Sequence, residues 1–151
     1  MQPLHELTGI NKMTAKEFLK QYEEAERLVR ICKTEYEKEL DLIDSIRSPL
    51  GGDGVPSGSG ISKTTENKAI RLAGKAEALK DAETEALRIR QKVYNVISAI
   101  PGEAGSVLYE KYINLKSWGD VAEAVGFSKR HVQRIHQDAL DLVKDVIECH
   151  S

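Results

Sequence analysis

Residues 14–47 contain no glycine or proline and repeat their apolar side chains at alternating intervals of four and three residues. This spacing predicts one long helix with a heptad seam, which is stable only when a partner helix covers it. Thr14 followed by Glu17 forms a capping box and marks the predicted start. At roughly 1.5 Å per residue, such a helix is about 50 Å long. Its predicted seam consists of Phe18, Tyr22, Ala25, Val29, Cys32, Tyr36, Ile43 and Ile46, with Glu39 as an interruption.

A second run with the same spacing begins near Thr64 or Thr65 and extends to Ile100, where Pro101 and Gly102 end it. The two runs together predict a long antiparallel coiled-coil hairpin, or helices that pair between chains in an oligomeric bundle. The predicted seam of the second helix consists of Leu72, Ala76, Leu79, Glu83, Ala86, Arg90, Val93, Ile97 and Ile100.

The segment between the two helices, from Ser48 to Ser62, is rich in glycine and serine and contains two prolines. Because proline cannot continue a helix and Gly/Ser chains are flexible, this segment is a predicted loop. The predicted organisation is therefore an N-terminal tail at 1–13, two heptad-patterned helices within 14–100 with a flexible loop at 48–62, and a helix-turn-helix domain at 101–151.

The composition favours an all-α fold, because 30% of the residues are charged and only 5% are aromatic. The formal net charge of −2 means that any contact with DNA must come from a local basic patch. Cys32 and Cys149 have no histidines at metal-ligand spacing, so we expect neither a metal nor another cofactor. No apolar run approaches the length of a membrane span, and we expect a cytoplasmic protein that does not associate with membranes.

The stretch from Leu115 to Leu140 has the pattern of a helix-turn-helix. Ser117 can cap a short first helix, and Asp120 at the third helical position can answer it. Gly126 occupies the position where a helix ends in a left-handed residue. Ser128 can then cap a second helix, which continues to about Cys149.

This second helix separates two kinds of side chain onto opposite faces. Its apolar residues Val132, Ile135, Ala139 and Leu140 point one way. The other face is built from arginine and glutamine at positions i, i+3, i+4 and i+7, which suits base edges and phosphates in a DNA major groove. That face consists of Arg130, Gln133, Arg134 and Gln137, with Lys129 beside them.

Residues 99–142 resemble the DNA-binding fourth region of sigma-70-type factors, and most closely the small phage-encoded sigma-like regulators of the ArpU and RinA type. One departure is the start of the unit, where Gly102 to Ser106 replaces a segment that is rich in Arg and Glu in sigma factors. A complete sigma factor is not expected, since no counterpart of the promoter-melting region is present. The resemblance rests on Ile100-Pro101, Lys111-Tyr112, Ser117 to Ala122, Gly126-Phe127-Ser128 and Lys129 to Leu140.

The resemblance implies a sequence-specific transcriptional regulator of phage or prophage late genes, which binds double-stranded DNA and has RNA polymerase as a further candidate partner. The helix starting at Ser128 would enter the major groove, and the long helices would join copies of the chain into a homo-oligomer. The candidate DNA contacts are Ser117, Trp118, Ser128, Lys129, Arg130, Gln133, Arg134 and Gln137.

Two other functions remain open on the sequence. A small terminase subunit of a phage packaging motor also joins a helix-turn-helix to oligomerising helices and binds DNA. A coiled-coil interaction module could use the same head to bind a protein. An enzyme is not expected, because Gly51 to Gly60 lacks the Gly-Lys-Ser/Thr ending of a phosphate-binding loop and no catalytic triad is readable.

Overall fold

The computed structural model describes the backbone of residues 13–47 and 59–150, and the side chains of residues 13–45 and 63–149. The described residues form five α-helices and no strand, which confirms the predicted all-α fold. A π-helical segment, Tyr109–Ile113, directly follows the third helix. The α-helices are α1 (Ala15–Arg47), α2 (Ser59–Ser98), α3 (Gly102–Leu108), α4 (Trp118–Val125) and α5 (Lys129–His150).

Most of the predicted tail and loop, residues 1–12 and 48–58, lies outside the described residues. The capping box at the start of α1 is confirmed. The backbone N–H of Thr14 donates to Glu17 Oε2 at 2.9 Å, and the backbone N–H of Glu17 donates to Thr14 Oγ1 at 3.2 Å. The second helix begins at Ser59, earlier than predicted. No proline lies between Pro56 and Pro101, so every residue in that stretch has the backbone N–H that a helix needs.

The contacts divide the chain into two compact units. The arm unit is Ala25–Ala86 and contains most of α1 and α2. The head unit combines Met1–Glu24 with Leu87–Ser151, so it includes the first turns of α1, the last turns of α2 and the shorter helices.

In the arm unit, α1 and α2 run antiparallel. Glu35 pairs with Lys75 at 3.6 Å, and Glu39 pairs with Arg71 at 3.1 Å, so four residues forward on α1 correspond to four residues back on α2. The predicted seam of α1 is at the interface, since its arm-unit members up to Ile43 are buried or half-buried. The prediction that Glu39 interrupts this seam is wrong. Its side chain lies within the seam, where the residue is only 7% exposed.

The predicted seam of α2 needs one correction. Glu83 is exposed, and the neighbouring Ala82 is buried in its place. Ala82 lies three residues after Leu79 and four before Ala86, so it keeps the heptad spacing with a side chain that α1 can cover. A carboxylate at that position would have to be desolvated, which favours the alanine as the seam residue.

In the head unit, the main core joins the first turns of α1 to the last turns of α2 and to the shorter helices. Leu19 and Val93 are fully buried there, and Phe18 packs beside them with Lys92 Nζ 5.5 Å from its ring centre. The buried members of this core are Phe18, Leu19, Val93, Ile97, Ile100, Leu108, Tyr112, Ile113, Ala139 and Val143. The core therefore holds α5 against both long helices.

A second, smaller core lies beneath the corner between α4 and α5. Val107, Val121, Ala122 and Val132 are its buried members. Phe127, which lies in the corner itself, packs against it. This core fixes α4 and α5 relative to α3.

The backbone of α3 approaches the end of α2 closely at Gly105. A Cβ atom at this position would lie 2.3 Å from the carbonyl oxygen of Ile100, well inside van der Waals contact. Gly102, with φ +71°, supplies the left-handed residue that lets the chain turn after Pro101. Gly102 and Gly105 therefore serve the turn after Pro101 and the packing of α3 against the end of α2.

Replacing Gly105 by alanine is expected to destabilise the protein by about 2 kcal/mol or more, because backbone atoms must move to admit the methyl group. Gly74→Ala is the matched control. It lies inside α2 with no atom within 4 Å of the added Cβ, so it is expected to stabilise by about 0.5–1 kcal/mol. Urea unfolding followed by circular dichroism measures both. Equal stabilities of the two variants would contradict the close approach at Gly105.

Replacing Glu39 by leucine is expected to raise the unfolding free energy by about 1 kcal/mol, because a buried carboxylate paired with one largely exposed arginine recovers little of its desolvation cost. Arg71→Ala should destabilise by about 1–2 kcal/mol, since it leaves that carboxylate without its cation. In the Glu39→Leu background, Arg71→Ala should have almost no effect. An undiminished effect there would show that Arg71 acts through something other than Glu39.

Candidate nucleic-acid interface

The corner between α4 and α5 has the backbone geometry predicted for a helix-turn-helix. Ser117 caps α4, where its Oγ accepts from the backbone N–H of Asp120 at 3.2 Å and donates to the Asp120 carboxylate at 2.9 Å. Gly126 ends α4 in the left-handed region with φ 78°, and its N–H donates to the carbonyl of Ala122. Ser128 then caps α5, since the backbone N–H of His131 donates to its Oγ at 3.2 Å.

The predicted contact residues all lie in the head unit, and most are exposed. On α5 and at its cap, the polar side chains are open to solvent, whereas Trp118 on α4 is half-buried. Within the described part of the chain, Lys129, Arg130 and Arg134 form no ion pair. The exposed members are Ser117, Ser128, Lys129, Arg130, Gln133, Arg134 and Gln137.

Charge changes sign along α5. The stretch 128–137 contains three cations and no acidic residue, whereas 138–148 contains four acidic residues and one lysine. Cations in the first turns of a helix oppose its dipole, and Arg130 and Arg134 also repel each other at i and i+4. Helix stability therefore does not explain these cations. Together with the free N–H groups of the first turn, they form a surface that favours an anion.

The opposite face of α5 is buried. Val132, Ala139 and Val143 have no exposed area, and His136 is 4% exposed. His136 is therefore a core residue and not part of the surface that carries Arg130 and Arg134. His136 lies four residues after Val132 and three before Ala139, and this spacing puts it on the inward face.

His136 is held by an aromatic cluster that the sequence did not reveal. Its Nε2 forms a 2.6 Å hydrogen bond with the hydroxyl of Tyr112 in the π-helical segment. The ring of Trp118 meets it edge-on with centres 4.7 Å apart. On the Trp118 ring, Lys111 Nζ lies 4.7 Å from the centre. Trp118 is therefore a packing residue that ties α4 to α5, although part of it remains exposed.

Burial shifts the pKa of both Tyr112 and His136 in the direction that favours the neutral side chain. Desolvation lowers the pKa of His136 from 6.5 to about 4, and the positive charges of Lys16 and Lys111 act in the same direction. Desolvation also raises the pKa of Tyr112 to about 12, with a further contribution from the negative charge of Glu23. The pair is therefore neutral over the physiological pH range.

Two lysine side chains stabilise the turn that leads into α4, one from the π-helical segment before it and one from the turn itself. Lys111 Nζ donates to the carbonyl of Lys116 at 3.1 Å, and Lys116 Nζ pairs with Glu110 at 2.6 Å. These bonds hold Leu115 in the left-handed region at φ 54°, which is unfavourable for a residue with a Cβ. The hydrogen bonds from Lys116 and Asn114 lower the pKa of Glu110.

No protein-family model, curated protein or solved structure matches this chain. The resemblance to sigma region 4 therefore rests on the residues quoted above and stays a prediction. No helix among the described residues has the length and apolar composition to cross a membrane. The described side chains also include no group of three or more His, Cys, Asp or Glu residues placed to hold a metal ion.

Acid is expected to destabilise the protein through His136. The unfolded chain takes up this proton near pH 6.5 and the folded chain only near pH 4, so the unfolded state binds more protons between these values. The unfolding free energy should therefore fall as the pH drops through this window, by up to about 3 kcal/mol from this group. Urea titrations at a series of pH values measure the slope.

His131→Gln is the matched control, since His131 is on the same helix but exposed. It should keep the wild-type slope, whereas His136→Gln should lose the part of the slope that lies between pH 4 and 6.5. If His136→Gln retains the full slope, carboxylates alone cause the acid sensitivity.

Proposed function

We propose that this protein binds double-stranded DNA through α5, with Arg130, Gln133, Arg134 and Gln137 facing the major groove. The observation that carries the proposal is the division of the first turns of α5, up to residue 137, into an inward apolar face and an outward face of arginine and glutamine without carboxylates. Arginine pairs well with guanine edges and phosphates, and glutamine with adenine edges.

The Ser128 cap and the first turn of α5 support a role for phosphate contacts. Lys129 is exposed at the first helical position, where the N–H groups of a helix end point outward. Ser117 and Trp118 are at the start of α4, and their backbone amides are further candidates for phosphate. The hydroxyl of Ser117 is already engaged by Asp120, so its contribution would come from the backbone.

The biological role that fits best is transcription regulation, and within it the control of late genes in a phage or prophage. This finer assignment depends on the resemblance of residues 99–142 to sigma region 4 and would include RNA polymerase as a second partner. We propose a binding function without catalysis and without a cofactor. The net charge of −2 indicates that binding is confined to the local basic face and is sensitive to salt.

A fluorescence anisotropy titration with a labelled duplex of about 25 base pairs tests the proposal. Arg130→Ala/Arg134→Ala is expected to weaken binding at least about ten-fold at low salt, because two cations leave the phosphate and guanine contacts. The slope of log affinity against log salt should become shallower by about 1 for each phosphate contact that is lost. Gln133→Ala should change sequence preference in a selection from random duplexes while leaving the salt slope unchanged.

Lys144→Ala is the matched control, because Lys144 is an exposed cation on the same helix that lies about two turns beyond Gln137, the last proposed contact, and within the acidic stretch. Its affinity should stay within about two-fold of wild type. If the double arginine variant binds as the wild type does, or if Lys144→Ala weakens binding equally, α5 does not read DNA with this face.

A further inference from the structure

An exposed ridge runs along α1 in the arm unit, beside the seam that faces α2. We call Leu28, Ile31, Glu35, Lys38 and Leu42 the outer ridge; they follow one another at intervals of three and four residues. Its apolar members are open to solvent, with Leu28 51%, Ile31 47% and Leu42 53% exposed. Aliphatic side chains at helical spacing on one face predict a contact with another helix.

The pattern on this face is symmetric about a point between Thr34 and Glu35. Leu28 lies about two turns before the point and Leu42 about two turns after it. Arg27 and Asp41, in the neighbouring row, occupy equivalent positions but carry opposite charges. The face is therefore complementary to a copy of itself that is related to it by a 180° rotation about an axis through this point.

We propose that the outer ridge is the contact between two copies of this chain, which meet antiparallel along α1 with the two-fold axis at this point. A two-fold contact places the same surface on itself, and so requires this self-complementarity. Leu28 of one copy then packs on Leu42 of the second copy. The aliphatic stem of Lys38 covers Ile31.

The charges select the antiparallel orientation. Arg27 of one copy meets Asp41 of the second copy, whereas parallel helices in register would place each of these charges against its own kind. The charges at the centre are already paired within the chain, because Glu35 binds Lys38 at 3.0 Å and Lys75 at 3.6 Å. Two copies can therefore approach without bringing an unpaired carboxylate onto the axis.

Sedimentation equilibrium of the full chain without DNA tests the proposal, and the wild type is expected to be a dimer. Leu28→Lys/Leu42→Lys should weaken dimerisation at least about ten-fold, because it places ammonium groups opposite each other in a desolvated contact. Leu87→Lys is the control, since Leu87 is 68% exposed on α2 and lies outside the ridge. It should leave the dimer unchanged.

Charge reversal tests the register independently. Arg27→Glu and Asp41→Arg should each weaken the dimer, and the two changes in one chain should restore it. Positions 27 and 41 are about 21 Å apart along the helix, so they cannot pair within one chain. Restoration therefore requires a second copy in the antiparallel register. Circular dichroism of every variant verifies that the helices remain folded.

A wild type that stays monomeric, or that forms a ring of many copies, would overturn the proposal. The proposal would also be overturned if the variant with both charge reversals dimerises as weakly as the two single variants do. The association state is measured without DNA, so failure of DNA binding by α5 and failure of this dimer give separate results.

Discussion

The inward face of α5 is the constraint on which the head unit depends. Val132, Ala139 and Val143 are fully buried, and they recur at the spacing of one helix face. Because each residue turns a helix by about 100°, fixing this face also fixes the face that remains in solvent. The exposure of Arg130 and Arg134 therefore follows from the packing of the aliphatic side chains behind them.

Aliphatic packing is not directional, so by itself it leaves some freedom in how α5 is rotated about its axis. The buried hydrogen bond between His136 and Tyr112 adds a directional contact that limits this freedom. The π-helical segment carries the tyrosine of this bond. Its wider turn, closed by the 3.1 Å bond from Asn114 N–H to the Tyr109 carbonyl, lets Tyr112 and Ile113 both face the core below Leu108. An uninterrupted α-helix would turn one of them further towards solvent.

The arm unit combines a polar residue in its seam with apolar residues outside it. Glu39 in the seam accepts from Arg71 at 3.1 Å, which costs stability and pins the register of α1 against α2. Leu28 and Leu42 lie outside the seam and are half exposed. Exposure of these leucines is unfavourable within one chain, whereas the proposed second copy would cover them.

The sequence by itself determined the α-helices and most of their ends, though not the start of α2 at Ser59, since these depend on local rules. The capping box at Thr14, the left-handed Gly126 and the Ser128 cap follow from backbone hydrogen bonding over a few residues. Tertiary structure decided the rest. The hydrogen bond between His136 and Tyr112, the choice of Ala82 over Glu83 in the seam and the π-helical turn all depend on neighbours distant in sequence, whose contacts outweigh local preference.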